Sequence, residues 1–367
     1  MALTEAMVLE ALRVVEDPDL HKDIVSLGFV KDVVIDGAKV SFTVQLTTPA
    51  CPVKDILEAE ARAAVAGIPG VTEVDLTMTA QVRERPNPAD TLPNVRQIIA
   101  IASGKGGVGK STVTVNLAVA LAEQGARVGL MDADVYGPSI PMMTGTDGQY
   151  PLTQDSKIIP IERFGIKMMS LGYLLQDGQA PMWRGPMVAG TVKQLLSDVK
   201  WGHLDYLLVD LPPGTGDAPM TLAQQVPLTG VVIVTTPHNV AANIAGSCAA
   251  LFRRLNTPVL GVVENMGAMV LPNGETMRVF AGKSGDELAG ELGVPYLGAV
   301  PLDPEVSYSS DAGEPIMKAR PDEAAAKAFR FIAGEVARQA SVVAISRDPH
   351  LASSEDQTGL KFEPSPS

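Results

Sequence analysis

The hydrophobic and polar residues follow two different patterns, one before and one after a proline-rich stretch. In residues 1–83, a helical pattern precedes two strand-like runs, a second helical pattern and a third strand-like run. The bounds of these elements are Met7–Val15, Val30–Ile35, Lys39–Gln45, Val53–Ala66 and Val71–Thr79. This order of elements predicts a small α+β domain.

In residues 95–340 the pattern changes to short apolar runs that alternate with helical segments. The clearest runs are Ile98–Ala102, Val128–Asp132, Tyr206–Asp210, Val231–Thr235 and Val259–Val263. Apolar strands separated by helices are typical of βαβ units, in which helices cover both faces of a parallel sheet. We therefore expect an α/β domain with a doubly wound, mostly parallel sheet.

Two segments break both patterns. Residues 84–94, which read ERPNPADTLPN, contain three prolines and mixed charges and are predicted to be a linker. Residues 341–367 are polar and contain proline near their end, so we expect a disordered tail.

Composition limits the classes of partner. The 42 acidic and 29 basic residues give a formal charge of −13, which opposes non-specific attraction to nucleic acid or anionic lipid. No run approaches the roughly 18 apolar residues that a membrane-spanning helix needs, and the N-terminus lacks the positive charge of a secretory signal. Two cysteines do not indicate a disulfide framework. We expect a cytoplasmic protein with no nucleic-acid partner and no membrane insertion.

A glycine-rich stretch follows the first strand of the large domain. Residues 103–112 read SGKGGVGKST and fit two templates. The template GxGxxG predicts a dinucleotide site, whereas GxxxxGK[ST] predicts a nucleoside triphosphate site. Both need a strand, a loop and a helix, and a helix is predicted over Ser111–Gln124. The glycines permit positive φ, so backbone N–H groups and the helix N-terminus can surround a phosphate.

The remaining residues decide between the two templates. Asp132 ends the next strand, where a dinucleotide site places its ribose-binding acid. The triphosphate alternative also explains Lys110, which neutralises phosphates, and Ser111, whose hydroxyl ligates Mg²⁺. It requires an acid after a distant buried strand, and Asp210 in YLLVDLPPGTGD meets this requirement. Two matching elements about a hundred residues apart favour ATP and Mg²⁺.

The segment GKGGVGKST resembles the deviant Walker A motif of the partition ATPases, the Min-system ATPase and the nitrogenase iron protein. This resemblance implies an ATP-sandwiched homodimer in which Lys105 reaches the partner's phosphates. It implies that the nucleotide-binding residues of the loop are Gly104, Lys105, Gly106, Gly107, Val108, Gly109, Lys110, Ser111 and Thr112.

Two further segments match the switches of this superfamily. In DADVYGPS the resemblance assigns Asp134 to orient the attacking water, with Asp132 nearer the loop and Mg²⁺; alternatively, one of the two only caps the following turn. The second switch is the turn after Asp210, which is expected to sense the γ-phosphate. Its candidate residues are Pro213, Gly214, Gly216 and Asp217.

Longer segments narrow the resemblance. In order, MDADVYGPSIPMM, WRGPMV, WGHLDYLLVDLPPGTGDAPMTLAQ, VVIVTTP, GVVENM and DAGEPI are similar to Mrp-type, ApbC-like ATPases of the iron–sulfur cluster carrier group. The N-terminal segments LTTPACP and IPGVTEV resemble the iron–sulfur assembly domain often fused ahead of them. The resemblance implies an ATPase that delivers clusters to apo iron–sulfur proteins together with assembly factors. It also places Asn265 at the adenine base, unless Asn265 only closes a strand end.

The sequence departs from this group at the cluster site. Its members present CxxC after ENM, one pair from each protomer, for a [4Fe–4S] cluster, but Leu271 and Gly274 occupy these positions here. Cys51 is expected to be either a reactive thiol, with its pKa lowered at a helix N-terminus, or a small buried hydrophobe. Cys248 has apolar neighbours at helical spacing and is predicted to lie in the core.

These residues leave the cluster chemistry open. Either a cluster is held differently, with Cys51 as one ligand, or cluster binding has been lost and the ATPase kept. The alternative function is a non-enzymatic nucleotide-binding adaptor that recruits assembly proteins.

Overall fold

The computed structural model describes residues 3–85, 92–134, 137–174, 185–271 and 273–347. Its N-terminal domain is a three-stranded sheet that packs against two helices. The elements are α1 Glu5–Leu12, β1 Glu16–Asp17, β2 Lys22–Asp23, β3 Val30–Asp36, β4 Lys39–Leu46, α2 Lys54–Ala66 and β5 Glu73–Ala80. The central strand β4 pairs antiparallel with β3 and parallel with β5.

Strand β4 shows why this segment folds as the sequence predicts. Its buried side chains alternate with partly exposed ones, since successive residues of a strand point to opposite faces. The buried residues Val40, Phe42, Val44 and Leu46 belong to one hydrophobic cluster with residues of both helices. The small α+β domain is confirmed.

The large domain contains an eight-stranded sheet in the order β10-β11-β7-β12-β6-β13-β14-β17. Its first elements are β6 Val95–Ala102, α3 Lys110–Glu123, β7 Val128–Asp132, α4 Ile140–Met143, β8 Thr153–Gln154, β9 Lys157–Ile158, β10 Ile161–Arg163, β11 Ile166–Ser170, the 3₁₀ helix Leu171–Leu174, α5 Gly185–Asp198 and β12 Leu204–Asp210. They continue with α6 Asp217–Gln225, β13 Gly230–Thr235, α7 Asn239–Arg254, β14 Val259–Gly267, β15 Met269–Val270, β16 Thr276–Met277, α8 Gly285–Leu292, β17 Tyr296–Pro301, α9 Pro304–Asp311, α10 Ile316–Ala319 and α11 Ala324–Ser346.

The sheet separates two hydrophobic cores. In β6, Ile99 and Ile101 face the core that contains α3 and α11, whereas Ile98 and Ala100 face the core that contains residues of α5 and α7. Every strand except β10 pairs in parallel within this sheet. The doubly wound, mostly parallel α/β fold is therefore confirmed, and β6 lies near its centre, where the phosphate-binding loop leaves the carboxyl edge.

The two domains are joined by polar and close-packed contacts. The hydroxyl of Tyr206, in β12, donates a hydrogen bond to Thr48 Oγ1 at 2.9 Å, and both residues are buried. Arg338, in α11, forms an ion pair with Asp19. At Gly334 of the same helix, a Cβ atom would lie 3.1 Å from the carbonyl oxygen of Ala50, so the small domain approaches the helix backbone closely.

The structure corrects part of the predicted domain boundaries. The tail boundary at residue 341 is wrong, because α11 continues to Ser346 and keeps Ala340 and Ala344 buried. The ends of the predicted linker are packed: the guanidinium of Arg85 is buried and donates to the carbonyls of Leu92 and Val95 at 2.8 and 3.0 Å. Residues 86–91 and 348–367 lie outside the described residues.

The substitution Tyr206→Phe tests the contact between the domains. It removes the hydroxyl that bonds to Thr48 and leaves a buried acceptor without that donor, so we expect the free energy of unfolding to fall by about 0.5–1.5 kcal/mol. Chemical denaturation measures this change. Tyr150→Phe is the matched control, because Tyr150 is 62% exposed. Equal stability of Tyr206→Phe and wild type would contradict the prediction.

Candidate functional site

The loop between β6 and α3 has the conformation that the glycine pattern predicts. Gly107 and Gly109 have φ of 81° and 77°, in the left-handed region that favours glycine. At Gly109 a Cβ would lie 2.2 Å from Nδ2 of Asn265, and at Gly104 it would lie 2.5 Å from the backbone carbon of Ile244. Neither position has room for a side chain.

A cavity of about 170 Å³ lies in front of this loop and the N-terminus of α3. Its other walls include Asp134, Ser139 and Pro213. Orphan N–H groups and the positive end of the helix dipole favour an anion at such a place. The volume suits a chain of phosphate groups, so the base and ribose of a nucleotide would lie outside it.

Asp210, at the end of β12, is the centre of the site. Its side chain is fully buried, and its Oδ2 accepts a hydrogen bond from the hydroxyl of Ser111 at 2.5 Å. The ammonium of Lys110 lies 2.7 Å from Oδ1 of the same carboxylate. The structure thus brings together three residues that the sequence assigned to phosphate and magnesium binding.

Thr114 also holds this carboxylate, and the sequence analysis missed it. Its Oγ1 lies 2.8 Å from Oδ1 of Asp210 and 2.8 Å from the carbonyl oxygen of Lys110, so its single proton has two acceptors. Thr114 follows Lys110 by one helical turn and therefore lies on the same face of α3. That spacing is the signal that would have identified it.

The two lysines of the loop have different surroundings. Lys110 is buried and its ammonium lies 3.8 Å from Oδ2 of Asp134, in addition to the contact with Asp210. Lys105 is exposed and has no ion pair with any residue that the structure describes. Its backbone carbonyl accepts a hydrogen bond from the hydroxyl of Ser103 at 3.0 Å, which holds the backbone of the loop at this point.

The two aspartates of the first switch have different positions. Asp134 lines the cavity, whereas Asp132 is buried behind it. Asp132 accepts hydrogen bonds from the backbone N–H groups of Asp134 and Ile140 and from the hydroxyl of Ser170, at 3.1, 3.4 and 2.9 Å. Asp132 therefore holds the turn that carries Asp134. This is the capping role that the sequence analysis considered for one of the two aspartates.

Asp132 also interacts with the other charges of the site. Burial, and after it the negative charge of Asp210, raise the pKa of Asp132 to about 7. The hydrogen bond from Ser170 and the charge of Lys110 oppose this rise in pKa. One buried ammonium thus lies near several carboxylates, and an entering phosphate would compete with them for it.

The turn after β12 contacts the phosphate-binding loop. The N–H of Gly214 donates to the carbonyl oxygen of Ser103 at 2.8 Å, and φ of Gly214 is 99°. Pro213 lines the cavity, and Gly216 is the N-cap of α6. The side chain of Asp217 lies outside the described residues. A change at the phosphates can therefore reach this turn directly.

Asn265 lies beside the loop. Its Nδ2 donates to the carbonyl oxygen of Val108 at 2.9 Å, and the residue is buried. Asn265 thus braces the loop in this structure, and its contact with adenine stays a prediction.

The structure gives the cysteines no cluster-binding geometry. Burial raises the pKa of the Cys51 thiol to about 11, and a hydrogen bond from the backbone of Val53 opposes this less strongly. The alternative of a lowered pKa for Cys51 is therefore wrong, because desolvation exceeds the effect of the hydrogen bond from Val53. Cys248 is buried in the core as predicted. No group of three or more His, Cys, Asp or Glu residues in the described parts of the chain is arranged to hold a metal ion.

Leu271 and Gly274 lie on the connection between β15 and β16. The N–H of Gly274 donates to the carbonyl oxygen of Leu271 at 2.8 Å, and φ of Gly274 is 84°. A tight turn closed by glycine, with an apolar side chain before it, supplies no thiolate for iron.

The substitution Thr114→Val tests the support of Asp210. Valine has a similar shape but removes a hydroxyl from a fully buried carboxylate, so we expect the free energy of unfolding to fall by about 1–3 kcal/mol. Chemical denaturation of Thr114→Val and of the control Thr114→Ser, which keeps the hydroxyl, measures the difference. A valine variant no less stable than the serine variant would show that this hydroxyl does not support Asp210.

Known proteins match both domains. Residues 94–337 match the family of the NUBPL iron-transfer P-loop NTPase, and residues 5–76 match the iron–sulfur cluster assembly protein family. An iron–sulfur cluster carrier protein of Deinococcus radiodurans is 48% identical over 345 residues, which are 93% of this chain and 97% of that protein. The chloroplastic Fe–S cluster assembly factor HCF101 of Arabidopsis thaliana is 45% identical over 93% of this chain and 65% of its own length.

Solved structures agree with these families. A nucleotide-binding protein of Archaeoglobus fulgidus in complex with ADP is 41% identical, with a TM-score of 0.55 over 61% of this chain and 89% of its own. The cell division ATPase MinD of Pyrococcus furiosus, 24% identical with a TM-score of 0.50 over 65% of this chain and 98% of its own, is similar in fold alone. The predicted resemblance to iron–sulfur cluster carriers is confirmed, and the chain belongs to the NUBPL iron-transfer P-loop NTPase family.

Proposed function

We propose that this protein is a magnesium-dependent ATPase that works as a homodimer in the carriage of iron–sulfur clusters and their delivery to apoproteins. One observation carries the ATPase part: the carboxylate of Asp210 lies 2.5 Å from the hydroxyl of Ser111, beside a phosphate-sized cavity. A hydroxyl and a carboxylate at one end of a phosphate-binding loop are the oxygen ligands of a nucleotide-bound magnesium ion. Relatives named as cluster carriers support the second part.

ATP would bind with its phosphates in the cavity in front of α3. Lys110 would exchange its carboxylate contacts for phosphate oxygens, and the loop N–H groups would donate to the same oxygens. Ser111 and Asp210 would hold Mg²⁺, which neutralises charge that develops on the phosphates during transfer. Thr114 would keep Asp210 in position after Ser111 has turned away from it.

Hydrolysis would need groups from both protomers. Asp134 lines the cavity and its carboxylate can orient a water molecule for attack on the terminal phosphate. Lys105 is exposed and without an ion pair in the described parts of the chain, so it can reach the phosphates of a second copy. A cation supplied by the partner would stabilise the transition state in the manner of an arginine finger.

The structure offers a route from the nucleotide to the small domain. Gly214 bonds to the loop at Ser103, and the same strand β12 that precedes it carries Tyr206, which bonds to Thr48 of the small domain. A change at the switch turn would thus act on a strand that both domains share. We propose that hydrolysis changes the docking of the small domain and the surface presented to client proteins.

The two loop lysines separate binding from turnover. We expect Lys110→Ala to abolish ATP binding, because the cavity loses its buried ammonium. Lys105→Ala should keep binding by the monomer but lose most turnover, because its role lies in the second protomer. Equilibrium binding of a fluorescent ATP analogue and phosphate release under Mg·ATP measure the two effects.

Lys193→Ala provides the control for these variants, because Lys193 is an exposed lysine in α5. Wild-type rates of phosphate release in a variant that lacks both Lys105 and Lys110 would contradict the proposed site. Nucleotide binding by the wild type with no phosphate release, even with a client protein present, would favour the non-enzymatic adaptor.

The cluster itself needs ligands that this chain does not group together. By resemblance, Leu271 and Gly274 stand where the family has its cysteine pair. Desolvation raises the thiol pKa of both the partly buried Cys51 and the buried Cys248. We therefore propose that a partner protein supplies thiolates while the cluster is transferred, and that this chain supplies the nucleotide-dependent movement. In this role the protein is cytoplasmic and acts on apo iron–sulfur proteins and assembly factors. Among the described residues no helix has the length and apolar character to cross a membrane.

Anaerobic reconstitution tests this account of the cluster. We expect wild type and Cys51→Ser to bind no stoichiometric iron and sulfide, because neither presents a paired thiolate site. The variant with Leu271→Cys and Gly274→Cys restores the family's spacing and should bind one [4Fe–4S] cluster per dimer. Iron and sulfide quantitation with visible absorption measures the difference. A stable cluster on wild type that Cys51→Ser removes would overturn the proposal and make Cys51 a ligand.

A further inference from the structure

A second cavity lies between the two domains, far from the phosphate-binding loop. Its volume is about 480 Å³, and its walls come from the ends of β3 and β4, from residues 81–84 after β5, from Arg96 in β6 and from the last turn of α11. Arg96 is near the amino end of β6, whereas the phosphate-binding loop follows its carboxyl end. At the rise of a strand, about 20 Å therefore separate the two sites.

The charge of this cleft contrasts with that of the whole chain. Among the described residues, its walls carry four basic residues, Lys31, Arg83, Arg96 and Arg347, and one acidic residue, Glu84. The chain as a whole has a formal charge of −13. A concave, low-dielectric wall with one sign of charge concentrates the electric field and attracts ions of the opposite sign.

Two of these cations are fixed by neighbouring groups. The guanidinium of Arg96 donates to the carbonyl oxygen of Val82 at 3.0 Å and lies 3.4 Å from Oδ1 of Asp205. That of Arg83 donates to the carbonyl oxygen of Leu27 at 3.4 Å. Such contacts orient a guanidinium, whose planar group presents its N–H donors in a fixed geometry.

The other two cations have no acidic partner within the described parts of the chain. Neither Lys31, on the small domain, nor Arg347, at the end of α11, forms an ion pair there. Burial lowers the pKa of Arg347, but a guanidinium stays protonated at neutral pH all the same. The two charges approach one cleft from different domains.

We propose that this cleft binds a small multivalent anion, with two or more carboxylate or phosphate groups, that bridges the two domains. A concave site of several hundred Å³ is the size of a small-molecule pocket, and Phe29, Leu46 and Val82 provide apolar wall for a carbon skeleton. Lys31 and Arg347 engage one anionic group each. The ligand stabilises the docked arrangement of the domains, and its site does not depend on nucleotide binding.

Citrate and pyrophosphate are the probes, because they separate carboxylate from phosphate recognition. Each is titrated calorimetrically into the full-length protein in magnesium-free buffer. We expect saturable binding of at least one probe at one site per chain. The double variant Lys31→Gln with Arg347→Gln should bind at least about tenfold more weakly, since each substitution removes a charge-assisted hydrogen bond.

Two controls locate the binding. Arg254→Gln removes an exposed basic residue outside the cleft and should leave the affinity unchanged. Lys110→Ala removes any part of the pyrophosphate signal that comes from the phosphate-binding loop, and it should leave the binding of either probe at the cleft unchanged. The proposal is overturned if neither probe binds wild type, if the double variant binds as tightly as wild type, or if Lys110→Ala abolishes the binding.

Discussion

The buried carboxylate of Asp210 is the constraint on which the site depends. A charge with no exposure to water is stable only where donors and an opposite charge replace its hydration. Here Ser111, Thr114 and Lys110 do so, and all three belong to the first turns of α3. The end of one strand and the start of a helix about a hundred residues earlier are therefore held together.

The contacts around Asp210 also determine which ligands can replace them. Lys110 pairs with carboxylates, so a phosphate that enters the cavity must replace them as its partner. The oxygens of Asp210 and Ser111 would then be available, and they are suited to bind a divalent cation. Asp132 lies behind the cavity, where its carboxylate accepts hydrogen bonds from the backbone N–H of Asp134 and from the hydroxyl of Ser170. The turn at Gly214 contacts the loop from the other side. The turn that carries Asp134 and the turn at Gly214 thus both lie beside the phosphate-binding loop.

The small domain adds a second level of organisation. It contacts the large domain through the hydrogen bond between Tyr206 of β12 and Thr48, and through α11. Its Cys51 lies where desolvation disfavours the thiolate. The connection between β15 and β16, which includes Leu271 and Gly274, carries no cysteine. The P-loop NTPase domain and the domain that resembles assembly proteins are both present, and the described residues form no group of three or more His, Cys, Asp or Glu that could hold a metal ion.

The sequence by itself determined the two domains, the order of their main helices and strands, and the loop residues that face a phosphate. These follow from local periodicity and from glycine at positions where the backbone needs positive φ, which no tertiary contact has to supply. Only the tertiary structure decided that Ser170 supports Asp132, that Asp132 braces a turn, and that α11 extends past residue 341. It also reversed the expectation for Cys51, because the pKa of a thiol depends on how much water its neighbours exclude. Such effects depend on contacts between segments that are distant in the sequence, and the local pattern of residues does not predict these contacts.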